Sequence, residues 1–240
     1  LVGSEMCIRD SFDDARRVLR ITHTEDLLPK PVVDYIKNGS TDQETPKAFP
    51  QNTYFLINTL PDSCKIAEQV AREMGLNAVT LTTFLEGESR EAGMFFASLA
   101  REIQTNSRPF SAPCVILAAG ETTTKISDNE DIRGHGGPSH ELVAAFALAA
   151  SKVPGACMLS IDTEGTDGTT LYAGGLTDSK TAEAARLAGI DLYEALRGHA
   201  VGEALVALND AVFTGNTGTN LCDLNVLYVP AAASDRFKKS

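Results

Sequence analysis

The stretch from Val115 to Glu141 restricts this chain more than any other. Val115-Ile116-Leu117-Ala118 is an apolar run of strand length broken by Gly120, and Glu121 stands where the chain leaves the strand. After a polar, acidic excursion, Gly134, Gly136 and Gly137 precede a segment in which Leu142, Phe146 and Ala149 recur at helical spacing. Strand, glycine-rich break and helix in succession form the unit of an α/β domain, and unpaired amides at a helix start attract anions.

The same alternation continues on both sides. Residues 54–57 (Tyr-Phe-Leu-Ile) read as a buried strand. Asp62 or Ser63 caps a helix whose face is Ile66, Ala67, Val70, Ala71 and Met74, and Gly75 ends it. Residues 78–81 make a second strand, and a polar turn from Glu86 to Arg90 leads into a helix with Ala92, Phe95, Phe96, Leu99 and Ile103 inward. A helix over 139–151, a strand over 157–161, helices over 177–188 and 191–196, and a face of Val201, Ala204, Leu205 and Leu208 follow. Strands at 211–214 and 224–229 close the pattern. The fold class expected is α/β, a mostly parallel or mixed sheet with helices on both faces. Upstream, a helical run at 12–19 and Pro29, Pro31, Pro46 and Pro50 around Val32, Val33 and Ile36 read as a connector. Residues 1–50 are therefore set apart from a domain at 51–230 and a tail at 231–240.

Composition narrows the partners. A formal charge of −11 with no run of Lys or Arg argues against nucleic acid. No apolar run reaches membrane length and no signal peptide opens the chain, so no membrane partner and a cytoplasmic location are expected. Five cysteines without a Cys-x-x-Cys pair read as small buried hydrophobes and not as a disulfide framework.

Two loops carry the chemistry. Asp162-Thr163-Glu164-Gly165-Thr166-Asp167-Gly168 places three carboxylates at a strand end, a composition suited to magnesium and phosphoryl transfer and equally to a solvated Asp/Gly turn. Gly215-Asn216-Thr217-Gly218-Thr219-Asn220 can wrap a phosphate or carboxylate, or simply turn the chain. Glu121 can cap a helix or pair with Lys125, and Asp167 can hold its own turn. His135 and His140 read as surface or loop residues, since no second His or Cys stands at metal spacing.

Gly120-Glu121-Thr122-Thr123, Gly134-x-Gly136-Gly137-x4-Glu141, Gly165-Thr166-Asp167-Gly168 and Thr214-Gly215-x-Thr217-Gly218-Thr219-Asn220-x2-Asp223-Leu224 together resemble the MOFRL region (about 112–229) of the glycerate 2-kinase family, which also carries the name hydroxypyruvate reductase. Leu85-Glu86-Gly87-Glu88-x-Arg90 resembles the family's middle portion, so the likeness runs over about residues 12–229. It implies a two-domain, ATP-dependent kinase that phosphorylates D-glycerate, or a similar hydroxy acid, at the 2-hydroxyl to give 2-phosphoglycerate. The site would lie in a cleft between a Rossmann-like first domain and this one. Most of that first domain is absent from the sequence, so the chain reads as a MOFRL-type C-terminal half preceded by a Rossmann-like remnant, with the missing domain as partner, activity in isolation in doubt and a homodimer left open.

In that reading Asp167 and Glu121 are the catalytic candidates, and Gly136, Gly137, Glu141, Thr217, Gly218, Thr219 and Asn220 bind substrate or phosphate. Asp167 and Glu164 are the candidate ligands of Mg2+. Pro138-Ser139-His140 stands where the family has Arg-Asn-Gln, which removes a guanidinium; either a neighbouring cation takes over or the substrate differs. Ala119 replaces a glycine, and Leu171 or Tyr172 an acid. Two other classes remain. An oxidoreductase of hydroxypyruvate reductase type would be expected to show a Gly-x-Gly-x-x-Gly turn and a later acid, a pairing the chain lacks. A non-catalytic binding or assembly module is the second.

Overall fold

A computed structural model describes residues 10–47, 50, 51, 53, 55, 57–126 and 132–232. The chain divides into two compact units, Leu1–Leu56 and Ile57–Ser240. In the first, helix α1 (Phe12–Thr22) opens on a capping box in which Ser11 and Asp14 satisfy each other's amides. Helix α2 (Lys30–Asn38) starts with a proline in its first turn. Arg16 Nε donates to the Ile36 carbonyl at 3.0 Å, and the rings of Phe12 and Tyr35 meet edge to face at 5.4 Å.

The expected strand at 54–57 does not form where it can be seen. Tyr54 and Leu56 lie outside the described residues, while Phe55 and Ile57 are exposed and outside any strand. A short apolar run gains nothing from extension unless a neighbouring strand pairs with it.

In the second unit, α3 (Leu60–Glu73) is capped by the Thr59 side chain and not by Asp62 or Ser63, which lie inside the helix, and it is followed by Gly75 at a positive φ, as the sequence suggests. Its buried side is Cys64 and Ala71, while Ile66, Val70 and Met74 of the expected face point to solvent. The small side chains lie against the sheet because they let the helix come close. Strands β1 (Asn77–Leu85), β2 (Cys114–Gly120), β3 (Cys157–Asp162), β4 (Gly174–Asp178), β5 (Ala211–Val212) and β6 (Asp223–Val229) form one sheet in the order β1-β2-β6-β3-β4-β5.

The sheet is mixed. β1 and β2 are parallel and joined by the crossover helix α4 (Ser89–Asn106), whereas every other neighbouring pair is antiparallel. Of the two arrangements expected, mostly parallel or mixed, the mixed one forms, because β3 passes to β4 through a loop and not a crossover helix, and β6 inserts between β2 and β3. The helix expected over 177–188 is also shorter. Thr177 and Asp178 end β4, and α6 (Thr181–Leu187) starts only after a turn in which the Asp178 carboxylate accepts from the Lys180 amide at 2.7 Å.

Helices cover both faces. On one, Cys114, Ile116, Ala118, Met158, Leu227 and Val229 pack beneath α4, α5 (Pro138–Ala149), α7 (Leu192–Arg197) and α8 (Val201–Leu208). On the other, Val115 and Leu117 meet Ala71 and Ala78. Helix α5 is buried continuously from Ser139 to Ala147. Gly93 lets α4 approach it so closely that a Cβ there would lie 2.2 Å from the Leu142 carbonyl oxygen. No described helix is long and apolar enough to cross a membrane. Cys64, Cys114, Cys157 and Cys222 are free thiols, the first two buried and the others half-buried.

Candidate functional site

Three strands and one helix bring their polar ends together. β2 ends at Gly120, β3 ends at Asp162 and β6 begins at Asp223, and the register sets Asp223 between Gly120 and Asp162. Glu121 follows on the exposed rim, with its amide donating to the Leu85 carbonyl at 2.9 Å and the Cys222 thiol donating to its Oε2 at 3.8 Å. Burial, then the like charges of Asp167, Asp162 and Glu121, push the Asp223 carboxyl up to about 8, against the opposing pull of the Thr122 amide. Asp162 is raised too, first by burial and then by the neighbouring acids.

The helix start is built by two loops pressed together. Asp167 is 1% exposed; its Oδ1 accepts from the Ser139 amide at 3.3 Å and its Oδ2 from the His140 amide at 2.9 Å, so it caps α5 from another loop. His140 Nδ1 pairs with the same carboxylate, and its ring meets Tyr172 edge to face at 5.7 Å. His140 is fully buried, which corrects the expectation of a surface or loop residue: the first turn of α5 points it inward onto Asp167. His135 is at the surface, paired with Glu203 at 2.7 Å. A Cβ at Gly137 would meet Asp167 Cγ at 2.5 Å, so only glycine permits this approach. The amides of Gly136 and Gly137 donate to no acceptor among the described residues.

Gly136 and Gly137 line a pocket of about 250 Å³ whose wall also includes Ile126, Ile132, Pro138, Thr169, Glu141 and His199. Glu141 and His199 are buried there and joined to Arg90 of the first turn of α4. Arg90 Nε donates to Glu141 Oε2 at 2.7 Å, while His199 Nδ1 lies 2.7 Å from Glu141 Oε1 and 3.0 Å from the guanidinium. Arg90 thus puts a guanidinium behind the Glu141 and His199 wall of the pocket.

The threonine-rich loop lines a different pocket, of about 380 Å³, with Glu164, Thr166, Asn216, Gly218, Thr219 and Asn220. Asn220 Nδ2 donates to Glu164 Oε2 at 2.8 Å, and Thr217 Oγ1 donates to the Thr163 carbonyl at 2.5 Å, which fastens one loop to the other. Gly136, Gly137 and Glu141 therefore share one pocket, and Glu164, Gly218, Thr219 and Asn220 a second. Segment 163–169 contributes to both, with Glu164 and Thr166 in one and Gly168 and Thr169 in the other, while Glu121 and Asp167 line neither.

Asp167 and Glu164 are the acids expected to hold magnesium. Asp167 is enclosed by the helix start, and the two Glu164 oxygens are taken by Asn220 and Thr166. Among the described residues no three of His, Cys, Asp and Glu converge as metal ligands. Asp223, Arg90 and His199 escaped the sequence reading as site residues, and Asp162 entered it only as a member of the acidic loop, without a role of its own. A carboxylate next to an apolar run was a visible signal for the two aspartates, but their meeting depends on strand pairing. Arg90 stood out only as the end of the Leu85-Glu86-Gly87-Glu88-x-Arg90 block, and nothing local marked His199.

Comparisons with known proteins agree with this architecture. The MOFRL family model matches residues 114–223. Glycerate 2-kinase of Pyrococcus horikoshii is 35% identical over 233 residues, 95% of this chain and 52% of that protein. D-glycerate 2-kinase of Thermotoga maritima is 37% identical over 182 residues, 76% of this chain and 43% of that protein. A crystal structure of glycerate kinase from Thermotoga maritima superposes with a TM-score of 0.74 at 34% identity, covering 92% of this chain and 50% of that one. The chain spans about half the length of the curated relatives it matches.

Proposed function

We propose, from the premise that this chain belongs to the MOFRL-bearing glycerate 2-kinase family, that it serves an ATP-dependent transfer of a phosphoryl group to the 2-hydroxyl of D-glycerate. The observation that carries this reading is the pair of amides at Gly136 and Gly137, which have no acceptor among the described residues and belong to two residues lining a pocket at the start of α5. Phosphoryl transfer asks a protein chiefly for position and for donors aimed at developing negative charge.

The two amides, at the start of a 12-residue helix, receive a phosphate or carboxylate oxygen. Asp167 acts as a positioning residue, because its carboxylate fixes the first turn of α5 and so the direction of both amides. Glu141, held by Arg90 and His199, keeps the pocket wall charged and in place. Glu121 sits on the rim, where it can orient the substrate hydroxyl. Gly218, Thr219 and Asn220 shape the second pocket, which suits the polar remainder of the nucleotide or substrate, and Thr217 holds their loop against Thr163. In the transfer, the hydroxyl oxygen bonds to the γ-phosphorus, the bridging bond breaks with ADP as leaving group, and the hydroxyl proton passes to solvent. Mg2+ bound with ATP would neutralise phosphate charge. The free thiols suit a cytoplasmic setting, and division into a connector (1–50), a domain (51–230) and a tail (231–240) belongs to the same reading.

The test is a chimera in which this chain replaces its matched segment in the Thermotoga maritima D-glycerate 2-kinase. ATP-dependent formation of 2-phosphoglycerate is expected, with loss of most turnover when Asp167→Asn is added. A folded chimera without kinase turnover, or one that instead oxidises NADH with hydroxypyruvate, would sink the proposal.

A further inference from the structure

Two acids that the kinase reading leaves without a task face each other. Asp162 and Asp223 are directly opposed in the antiparallel ladder of β3 and β6. Opposed side chains share one face of a sheet, with Cβ atoms about 5 Å apart, and like charges so placed destabilise it. No ion pair joins either acid among the described residues. Asp162 Oδ1 accepts the Glu164 amide at 2.9 Å, and Oδ2 has no hydrogen-bond donor among the described residues.

The next pair along the same face is Ser160 opposite Asn225. Ser160 Oγ donates to Ser139 Oγ at 2.8 Å. Asn225 is 1% exposed, yet neither its Oδ1 nor its Nδ2 reaches a partner among the described residues. A buried amide left unsatisfied costs about 1–3 kcal/mol. Two facing carboxyl groups and an orphaned amide on one face would all be served by one positively charged, hydrated guest between them.

We infer that Asp162 and Asp223 hold a hydrated divalent cation of the magnesium class, with Asn225 bonded to one of its retained waters. Magnesium keeps several waters and binds proteins through one or two carboxylates, not through closed cages. That habit fits a molecule whose described residues offer no three convergent ligands. Asp162 is half-buried and gives the ion an approach, while Asp223 is buried beneath it. The site moves the cation from Glu164 and Asp167 to the facing strand ends. It is defined by strand register, whatever the chain phosphorylates.

Mn2+ takes the same oxygen ligands and reports binding through the electron paramagnetic resonance signal of the free ion. Titrated into the 240-residue chain, it should fill one saturable site, and Mg2+ should displace it. Asp162→Asn and Asp223→Asn should each abolish that site. Asn225→Ala should weaken it about 10- to 100-fold, as loss of an outer partner of a metal does, and Glu164→Gln should leave it unchanged. Thermal melting in EDTA checks that each variant folds; half-buried Asp162 carries the test if Asp223→Asn does not. No saturable binding by the parent chain, binding that survives both aspartate substitutions as an adventitious surface ion does, or loss confined to Glu164→Gln would overturn the assignment. Because no phosphoryl transfer is measured, failure of the kinase reading and failure of the cation site are separate results.

Discussion

Asp223 keeps its proton into the neutral range because it is buried among other acids, and this has a consequence for stability. Its folded value of about 8 lies above the ordinary carboxylate value of 3.8, so between those limits the folded state binds a proton that the unfolded chain has released. Stability from this group is fully present below the unfolded value and is lost as pH rises toward 8. In EDTA, the melting temperature of the parent chain should therefore fall between pH 5 and pH 9, on the order of a few kcal/mol of unfolding free energy. Asp223→Asn should remove most of that slope and be the more stable protein at pH 9. Equal slopes in the two proteins would show that Asp223 titrates normally.

Among the elements, the contact of α4 with α5 governs the first pocket. Arg90 lies in the first turn of α4 and Glu141 in the first turn of α5, so their 2.7 Å bond exists only while the two helices stay close. Gly93 sets that closeness, since a Cβ there would strike the Leu142 carbonyl. Gly93→Ala should destabilise the chain by about 1–3 kcal/mol, the usual cost of overpacking, and should loosen Arg90 from Glu141. Urea unfolding reads the first effect. A variant as stable as its parent would mean that the helices separate without cost.

For the whole molecule, what could be read in advance follows from how local each signal is. The 115–118 run, the break at Gly120 and the Leu142/Phe146 spacing located β2 and α5 because strand and helix periodicities are written within a few residues. Gly120, Gly136, Gly137 and the 217–220 loop announced bared backbone in the same local way. β4 was hidden because Gly174 and Gly175 carry no side chain to show alternation, and the Thr177 hydroxyl bonds to the Val143 carbonyl on a helix far away in sequence. His140 was misjudged because its burial is decided by Asp167, 27 residues on. The opposition of Asp162 and Asp223, together with the split of the expected site into two pockets, depends on β6 lying antiparallel between β2 and β3, which no spacing records. A chain ended after Cys222 should lack a cooperative melting transition, whereas one ended after Ala232 should melt like the parent. Calorimetry distinguishes these outcomes, and a cooperative melt in the shorter chain would mean that β6 is dispensable.

Placing β6 in the interior of the sheet also sets a hazard during synthesis. β2 and β3 emerge from the ribosome long before Val229 does, and until then each presents an unsatisfied edge that can recruit a foreign strand. The nascent polypeptide must be shielded through that interval, so its yield in a cell should depend on chaperone supply more than the stability of the finished sheet would suggest.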